Sequence, residues 1–241
     1  MLDETMKIGE YITRVQGDME RERKSLAAAF DRLPDATMYW GMVDLAGSTN
    51  ARILYGAREG YVRGEIFFSL IHSIITPCTE VRLLKEIGDA VLLTAPSFRP
   101  LFESLILIDQ VTSQIANITG TEKYPFSIRG GISFGTAKRM RRTRTDFLGS
   151  AIDILSRIMS IRSQTSNFCL HEDAYNASID IIKEYSDFIA FSETKSLSST
   201  ITKTMVHSIQ YREMSINREA LVDNDNLFIP WKRVEYRQRM P

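Results

Sequence analysis

The sequence is poor in the residues that build disulfides, zinc sites and charge-driven binding surfaces. Among its 241 residues are two cysteines and three histidines, and Cys78 and Cys169 lie far apart without metal-ligand spacing. This usage argues against a disulfide framework or a cysteine-based metal site, and it indicates a reduced intracellular protein. The 30 Lys and Arg residues balance the 30 Asp and Glu residues. Bulk charge therefore gives no support for binding to nucleic acid or to a membrane surface.

Long apolar runs are also missing. The start of the chain, MLDETMKIGEYITR, is too polar for a signal peptide, and no apolar run approaches the length that spans a bilayer. We therefore expect a cytoplasmic protein without a membrane segment. An apolar fraction of 44% is ordinary for a globular protein, so the chain has the material for a packed core.

A long, charged, amphipathic helix is predicted over residues 2–32. Its apolar residues recur every three or four positions, which is typical of a single apolar stripe. We expect the stripe to pack either on this domain or on a second copy of the chain. Pro34 disfavours helix at the residue before it and ends the segment. The stripe consists of Ile8, Ile12, Val15, Met19, Leu26 and Phe30.

The next elements follow the order strand, helix, strand, strand, helix, strand, which is the split βαβ pattern of ferredoxin-like folds. The sequence thus predicts an α+β fold with a βαββαβ core, an N-terminal helical segment (1–36), a main domain (37–178) and a C-terminal β extension (179–241). The predicted strands are 38–44, 80–86, 90–95, 127–137 and 167–171, and the predicted helices are 51–75, 98–118 and 150–163.

Topology brings two distant acids together. In a ferredoxin-like core the first and third strands are antiparallel neighbours. The end of the first strand therefore lies beside the turn that joins the second and third strands. Asp44 ends the first strand and Asp89 sits in that turn. We expect their carboxylates to meet in space.

Two carboxylates at close range disfavour ionisation of both, and a divalent cation relieves this. Oxygen ligands suit Mg²⁺ or Mn²⁺, and a pair of ions about 4 Å apart can divide nucleophile activation and phosphate binding. Gly47, Ser48 and Thr49 then lead into a helix N-terminus, which favours phosphate. On spacing alone, Asp44 and Asp89 could equally be ordinary turn and cap residues.

Three segments, MVDLAGSTN, LLKEIGDAVLLTAPS and FSIRGGISFGTAKRM with the following DFLGSAIDILSRIMSI, resemble successive signatures of class III nucleotidyl cyclases. These enzymes make 3′,5′-cyclic nucleotides from nucleoside triphosphates. The resemblance runs from about residue 39 to residue 175 and keeps the order and approximate spacing of the family. Three signatures in register are far more specific than one.

The resemblance implies roles for five residues of this chain. Asp44 and Asp89 match the two metal-binding aspartates, which hold two divalent ions (Mn²⁺ or Mg²⁺), and the backbone carbonyl of Leu45 would be a further ligand. Lys85 stands where adenylate cyclases keep a lysine that recognises the base. Asp146 stands where they keep the acid that partners this lysine.

Two further matches concern the reaction itself. Arg157 matches the arginine that stabilises the pentavalent phosphorus of the transition state. Asp153 occupies the position where the family usually has an asparagine that orients the ribose. An ionised aspartate accepts hydrogen bonds and cannot donate them. This departure keeps open the alternative of a catalytically degenerate cyclase fold that only binds or dimerises.

In this family the active site is shared between two chains packed head to tail. The resemblance therefore implies a homodimer with two equivalent sites. Asp44 and Asp89 would come from one protomer, and the base, ribose and transition-state residues would come from the other.

We expect no membrane part, no sensor domain and no receiver in this chain, and this plan is similar to that of the bacterial pyrimidine cyclases of the Pycsar anti-phage system. This resemblance implies a uridylate cyclase that converts UTP to cUMP, before a cytidylate cyclase, with the product acting on a separate effector protein. Bulky side chains near the base would favour a pyrimidine, and Tyr39, Trp40 and Tyr55 are candidates. The alternative is a conventional adenylate cyclase, which the lysine–acid pair suggests.

One dense basic run, KRMRRTR (138–144), is typical of a solvated hairpin tip. Guidance of a triphosphate is the alternative, and nucleic-acid binding is the least favoured reading. The glycines of RGGISFG are expected to let a neighbouring chain or a nucleotide approach a strand closely.

Overall fold

The computed structural model describes residues 8–118, 126–140, 146–161, 168–202 and 205–222. The helices are α1 (Ile8–Asp31), α2 (Ser48–Tyr55), α3 (Ala57–Ile75), α4 (Phe98–Ile118), α5 (Ser150–Met159), α6 (Glu172–Asn176), α7 (Ile179–Lys183) and α8 (Arg218–Val222). The strands are β1 (Asp35–Leu45), β2 (Arg82–Ile87), β3 (Ala90–Ala95), β4 (Ile128–Arg139), β5 (Phe147–Leu148), β6 (Phe168–His171), β7 (Ile189–Phe191), β8 (Lys195–Thr202) and β9 (Met205–Ile216).

These strands form one sheet in the order β2-β3-β1-β4-β6-β9-β7, with β5 added to β4 and β8 added to β9. Strand β1 is central and runs antiparallel to both β3 and β4. This is the sheet order of a ferredoxin-like core, extended on one side by C-terminal strands. The predicted α+β fold class is confirmed.

Both faces of the central strands are covered, which is why β3 reads AVLLTA and is buried along its whole length. Helices α3 and α4 pack on one face through large apolar side chains, and α5 packs on the other against Trp40 and Leu92. The largest fully buried side chains of α3 and α4 are Phe67, Ile71, Phe98, Leu101, Phe102, Leu105 and Ile108. None of the helices in the described part of the chain is both long and apolar enough to span a membrane.

The predicted single helix over residues 51–75 is wrong, because the chain forms two helices there. Gly56 separates α2 from α3 with a φ of 87°, a backbone conformation that glycine adopts without strain. The two helices then pack closely: a Cβ atom on Gly60 would lie 2.0 Å from Cγ of Arg52. Apolar spacing continues through both helices, so periodicity alone did not reveal the break.

The glycines of RGGISFG make room for side chains of this chain. A Cβ atom on Gly130 would lie 2.3 Å from the ring of Phe168 on β6, and one on Gly131 would lie 3.2 Å from Leu155 on α5. The close neighbours are therefore an adjacent strand and a helix. Of the basic run, Lys138 pairs with Asp35 at 3.0 Å, and residues 141–144 lie outside the described residues.

Helix α8, near the C-terminus, is joined to α4 by an ion pair with a buried carboxylate. Nε and Nη2 of Arg218 donate to the two oxygens of Asp109 on α4, at 2.8 and 2.9 Å. Asp109 is 3% exposed and Arg218 is 48% exposed. We expect Arg218→Ala to lower the free energy of unfolding by about 2 kcal/mol, less than for a fully buried pair because water reaches the guanidinium.

Urea unfolding followed by circular dichroism measures this effect. Glu219→Ala, at the neighbouring exposed position, is the matched control and should change stability by less than about 0.5 kcal/mol. Equal stability of the two variants would contradict a structural role for the Arg218–Asp109 pair.

Candidate active site

The site begins where β1 ends beside the β2–β3 turn. Asp44 is in register with Ala90, and the backbone N–H of Leu45 donates to the carbonyl oxygen of Asp89 at 3.0 Å. Burial raises the pKa of Asp44, and the negative charge of the nearby Asp89 raises it further. The predicted meeting of these two carboxylates is confirmed.

Arg129 is the cation of this site, and the sequence analysis did not single it out. It lies opposite Asp44 on β4, and its Nη2 donates to the Asp44 carboxylate. This hydrogen bond opposes the upward shift in the pKa of Asp44 without cancelling it. Nε of Arg129 is buried and makes no hydrogen bond within the described part of the chain. The guanidinium therefore has donor capacity for an anionic ligand.

The turn after β1 supplies small residues and a helix start. Gly47 has a φ of 72° and precedes α2, which begins at Ser48. The side-chain hydroxyl of Ser48 donates to the carboxylate of Asp89, so this residue positions the acid. The first N–H groups of a helix lack intrahelical partners. Gly47, Ser48 and Thr49 thus border the two acids with backbone donors that suit phosphate.

These residues line a cleft of about 460 Å³, a volume typical of a small-molecule site. Its acidic end is formed by Asp44 and Asp89, with Arg129 beside them. The end of α5 and strand β6 also contribute lining residues. The lining residues are Asp44, Leu45, Ala46, Gly47, Ser48, Thr49, Asn50, Asp89, Arg129, Gly130, Ile158, Met159, Ile161 and Cys169.

The chemistry of the donor set fits a magnesium-type ion. No group of three or more His, Cys, Asp or Glu side chains that could hold a metal occurs among the described residues. Asp44 and Asp89 provide two such side chains in the cleft. Mg²⁺ is commonly held by one or two carboxylates together with substrate phosphates, rather than by a complete protein cage. The metal-binding roles of Asp44, Asp89 and the Leu45 carbonyl remain predictions.

Lys85 and Asp146 form a second, separate cluster. Nζ of Lys85 on β2 donates to Oδ1 of Asp146 at 2.7 Å, and the two side chains are 45% and 36% exposed. The two residues are therefore paired across 61 positions of sequence. Neither is among the residues that line the cleft of Asp44.

Asp153 and Arg157 lie one turn apart on α5, four residues from each other. Both side chains are exposed, whereas Ala151, Leu155 and Ile158 are buried beneath the helix. Neither Asp153 nor Arg157 is among the residues that line the cleft. The helix therefore turns these two side chains away from its own sheet.

Gly149 permits the close approach of α5 to β4. A Cβ atom there would lie 2.6 Å from the carbonyl oxygen of Thr136 and 2.7 Å from Cα of Ala137. The start of α5 is thus pressed against the strand, which fixes where Asp153 and Arg157 emerge.

The predicted site residues accordingly fall into two groups. Asp44, Asp89 and the 47–49 turn share the cleft with Arg129. The pair Lys85–Asp146 and the outward face of α5 stand apart from it. The lining of the cleft contains members of the first group and none of the second.

Comparison with known proteins identifies the fold. No protein-family model matches the sequence, and no curated protein matches it. Solved structures do match. The alignment with the guanylyl cyclase Cya2 covers 81% of this chain and 98% of the Cya2 chain, with a TM-score of 0.60 and 15% sequence identity. The chain has the class III nucleotidyl cyclase fold.

Other cyclase structures agree. The adenylyl cyclase CyaB from P. aeruginosa has a TM-score of 0.56 and 16% identity, and covers 82% of this chain and 100% of its own. An adenylate/guanylate cyclase/hydrolase from Silicibacter pomeroyi has a TM-score of 0.57 and 16% identity, with coverages of 77% and 99%. At 15–16% identity the likeness is one of fold.

Within this cyclase fold, two of the bulky residues proposed for the base are wrong candidates. Trp40 is fully buried under α5, and its Nε1 donates to the carbonyl of Gly135 at 2.9 Å. Tyr39 is buried on the opposite face, where its ring lies against Phe98. Consecutive residues of a strand point to opposite faces, and both faces are covered here. Tyr55 is exposed at the end of α2 and is the candidate left.

Proposed function

We propose that the protein is a nucleotidyl cyclase that converts a nucleoside triphosphate to a 3′,5′-cyclic nucleotide and pyrophosphate. The observation that carries the proposal is the joint position of Asp44 and Asp89 in one cleft, within the cyclase fold. The outward position of Arg157 on α5 supports its role as the arginine that contacts the reacting phosphoryl group.

The reaction is an intramolecular displacement. The ribose 3′-oxygen attacks the α-phosphorus, a new P–O bond forms, and the bond from that phosphorus to the α,β-bridging oxygen breaks. Pyrophosphate leaves, and the hydroxyl proton passes to solvent. Because nucleophile and electrophile belong to one molecule, positioning supplies much of the rate acceleration.

Each residue has a task that its chemistry allows. Asp44 and Asp89 would hold two divalent ions, Mn²⁺ or Mg²⁺, which when bound activate the 3′-hydroxyl and neutralise the phosphates. Arg129, beside them, can donate to phosphate oxygens through the N–H groups that Asp44 does not occupy. Arg157 would donate to the charge that develops on the reacting phosphoryl group. Asp153 would accept a hydrogen bond from a ribose hydroxyl.

The separation of the two groups of residues supports a homodimer with shared sites. A chain that displays Lys85, Asp146, Asp153 and Arg157 away from its own acidic cleft can offer them to the cleft of a second copy. A two-fold dimer then contains two equivalent sites, and an isolated monomer is inactive.

Lys85 and Asp146 would orient the base. The pair offers one donor and one acceptor at adjacent positions, 2.7 Å apart. Uracil and guanine each present a carbonyl beside an N–H group, whereas adenine and cytosine each present a ring nitrogen beside an amino group. The pair therefore matches any of the four bases by hydrogen bonding, so the space between this pair and the residues that hold the ribose must discriminate between purines and pyrimidines.

Our finer proposal is a pyrimidine cyclase that makes cUMP from UTP, with CTP as the next substrate. The similarity of the plan of the chain to the pyrimidine cyclases supports it. The cyclic product would act as a second messenger on a separate effector protein in anti-phage defence. Adenylate cyclase is the alternative, supported by the resemblance of Lys85 and Asp146 to the lysine and acid that adenylate cyclases keep at these positions.

Separate incubation with ATP, GTP, CTP and UTP in the presence of Mn²⁺ tests both the cyclase activity and the preference for a pyrimidine. Chromatography identifies the cyclic product, and pyrophosphate release gives its rate. We expect cUMP as the main product. A cyclic product from ATP alone would refute the pyrimidine proposal and leave the cyclase proposal standing, and no pyrophosphate from any triphosphate would indicate a degenerate binding module.

A further inference from the structure

The pair Lys85–Asp146 stands on two short pieces of chain. Lys85 belongs to β2, at one edge of the described sheet, and Asp146 directly precedes the two-residue strand β5. Both side chains reach solvent. An ion pair of this kind holds its own geometry weakly, because side-chain entropy and water oppose it. The positions of the two side chains therefore depend on what anchors the chain next to each of them.

Phe147 anchors the chain beside Asp146. Its ring lies against that of Trp40, with 5.1 Å between the ring centroids and 59° between the ring planes. Trp40 is fully buried, and its Nε1 donates to the carbonyl of Gly135 at 2.9 Å, so the ring on which Phe147 packs is itself held in place. The backbone N–H of Met140 also donates to the carbonyl oxygen of Asp146, at 2.9 Å.

Leu84 anchors the chain beside Lys85, and it does so on the same platform. Lys85 pairs with Leu92 of β3, and the register shifts just before it, where Leu84 is the additional residue of a β-bulge. Leu84 and Leu92 both belong to the apolar cluster around Trp40. Adjacent residues of a regular strand point to opposite faces. The bulge instead places Leu84 on the face that Lys85 shares with Leu92.

Each member of the pair thus has an adjacent residue in one apolar cluster. We propose that Phe147 and Leu84 are positioning residues, which fix the separation and orientation of Lys85 and Asp146 and thereby set which base is preferred. The inference rests on the proposed function, since it takes these two polar residues as the ones that orient the base. Their hydrogen bonding matches any of the four bases, so the place at which the cluster holds them decides between a purine and a pyrimidine.

Removal of the ring of Phe147 gives the first test. Phe147→Leu keeps an apolar side chain but leaves space beside Trp40, into which the chain at Asp146 can shift. We expect the ratio of kcat/KM between the preferred triphosphate and the best of the other three to fall by at least about fivefold, because a loosely placed donor and acceptor discriminate less. Phe147→Tyr keeps the ring, and since Phe147 is only partly buried the added hydroxyl can reach water. This variant should keep the wild-type ratio.

Phe191→Leu is the matched control. Phe191 is also partly buried, its ring lies 5.2 Å from that of Tyr175, and its strand β7 lies at the other end of the sheet order from β2. Both changes remove the same atoms and lower stability, but the ratio in Phe191→Leu should stay within about twofold of the wild type. Leu84→Ala should lower the ratio as Phe147→Leu does. Equal ratios in the two positioning variants and in the control would overturn the inference.

Titration calorimetry with Mn²⁺ and each of ATP, GTP, CTP and UTP separates this inference from the proposed function. The chains also carry Arg157→Ala, which is expected to suppress turnover. A narrower spread of affinities in Phe147→Leu than in Phe191→Leu would support the inference even if the wild type makes no cyclic nucleotide. An unchanged spread would overturn the inference and leave the cyclase proposal standing, and a wild type that binds no triphosphate would overturn both.

Discussion

Replacement of Arg157 by alanine is expected to lower turnover by about a hundredfold or more, because a lost transition-state contact to a phosphoryl oxygen costs at least that much. The guanidinium can make two parallel hydrogen bonds to phosphate oxygens that no other side chain reproduces. Its position on the exposed side of α5 means that truncation opens no cavity in the core.

The measurement is the initial rate of cyclic nucleotide formation at saturating triphosphate and Mn²⁺. Ser156→Ala, at the preceding exposed position of α5, is the matched control and should keep near-normal turnover. Melting temperature and sedimentation should be unchanged in both variants. Near-normal cyclisation by Arg157→Ala would contradict the assignment of Arg157.

Replacement of Asp44 by asparagine is expected to separate activity from stability. Turnover should fall by about a hundredfold or more, since the variant loses one of the two carboxylates that would hold the metal ions. Burial and the charge of Asp89 raise the pKa of Asp44, so its ionised form is disfavoured in the folded metal-free protein. The neutral amide should therefore fold at least as stably as the wild type in the presence of a chelator.

The raised pKa of Asp44 also sets how the stability of the protein changes with pH. A carboxyl whose pKa is raised on folding contributes stability below its unfolded pKa of about 3.9, and this is lost as the pH rises through the folded pKa. The melting temperature of Asp44→Asn relative to wild type, measured in EDTA, should therefore increase from acid to neutral pH.

Asp35→Asn, at the other end of β1, is the control for this variant. Asp35 is 59% exposed, so the change should leave turnover intact. Addition of Mn²⁺ should raise the melting temperature of the wild type and of Asp35→Asn, but not that of Asp44→Asn. A full Mn²⁺ response in Asp44→Asn would contradict a metal-binding role.

Long-range topology was the predictable part of this protein. The order of apolar runs fixed β1 between β3 and β4, and that placement alone brought Asp44 to Asp89. Arg129 could have been found by the same reasoning, because the first and fourth strands are also neighbours and their register sets it opposite Asp44. Arg129 was missed because only the acidic residues were compared between neighbouring strands.

Other features depend on details that a pattern does not carry. The break at Gly56 interrupts a continuous apolar period, and a glycine within such a period is often tolerated in a helix. Tyr39 and Trp40 were misplaced because burial on both faces of β1 depends on which helices cover the sheet.

A mixture of Asp44→Asn and Arg157→Ala chains tests the shared site most directly. Each variant alone has both of its sites disabled. In a mixed dimer one site carries both changes and the other carries neither. Equal amounts that exchange freely should therefore recover about a quarter of wild-type activity, because half of the dimers are mixed and each has one intact site. A mixture as inactive as its two components, under conditions where sedimentation or label transfer shows that subunits exchange, would contradict the account.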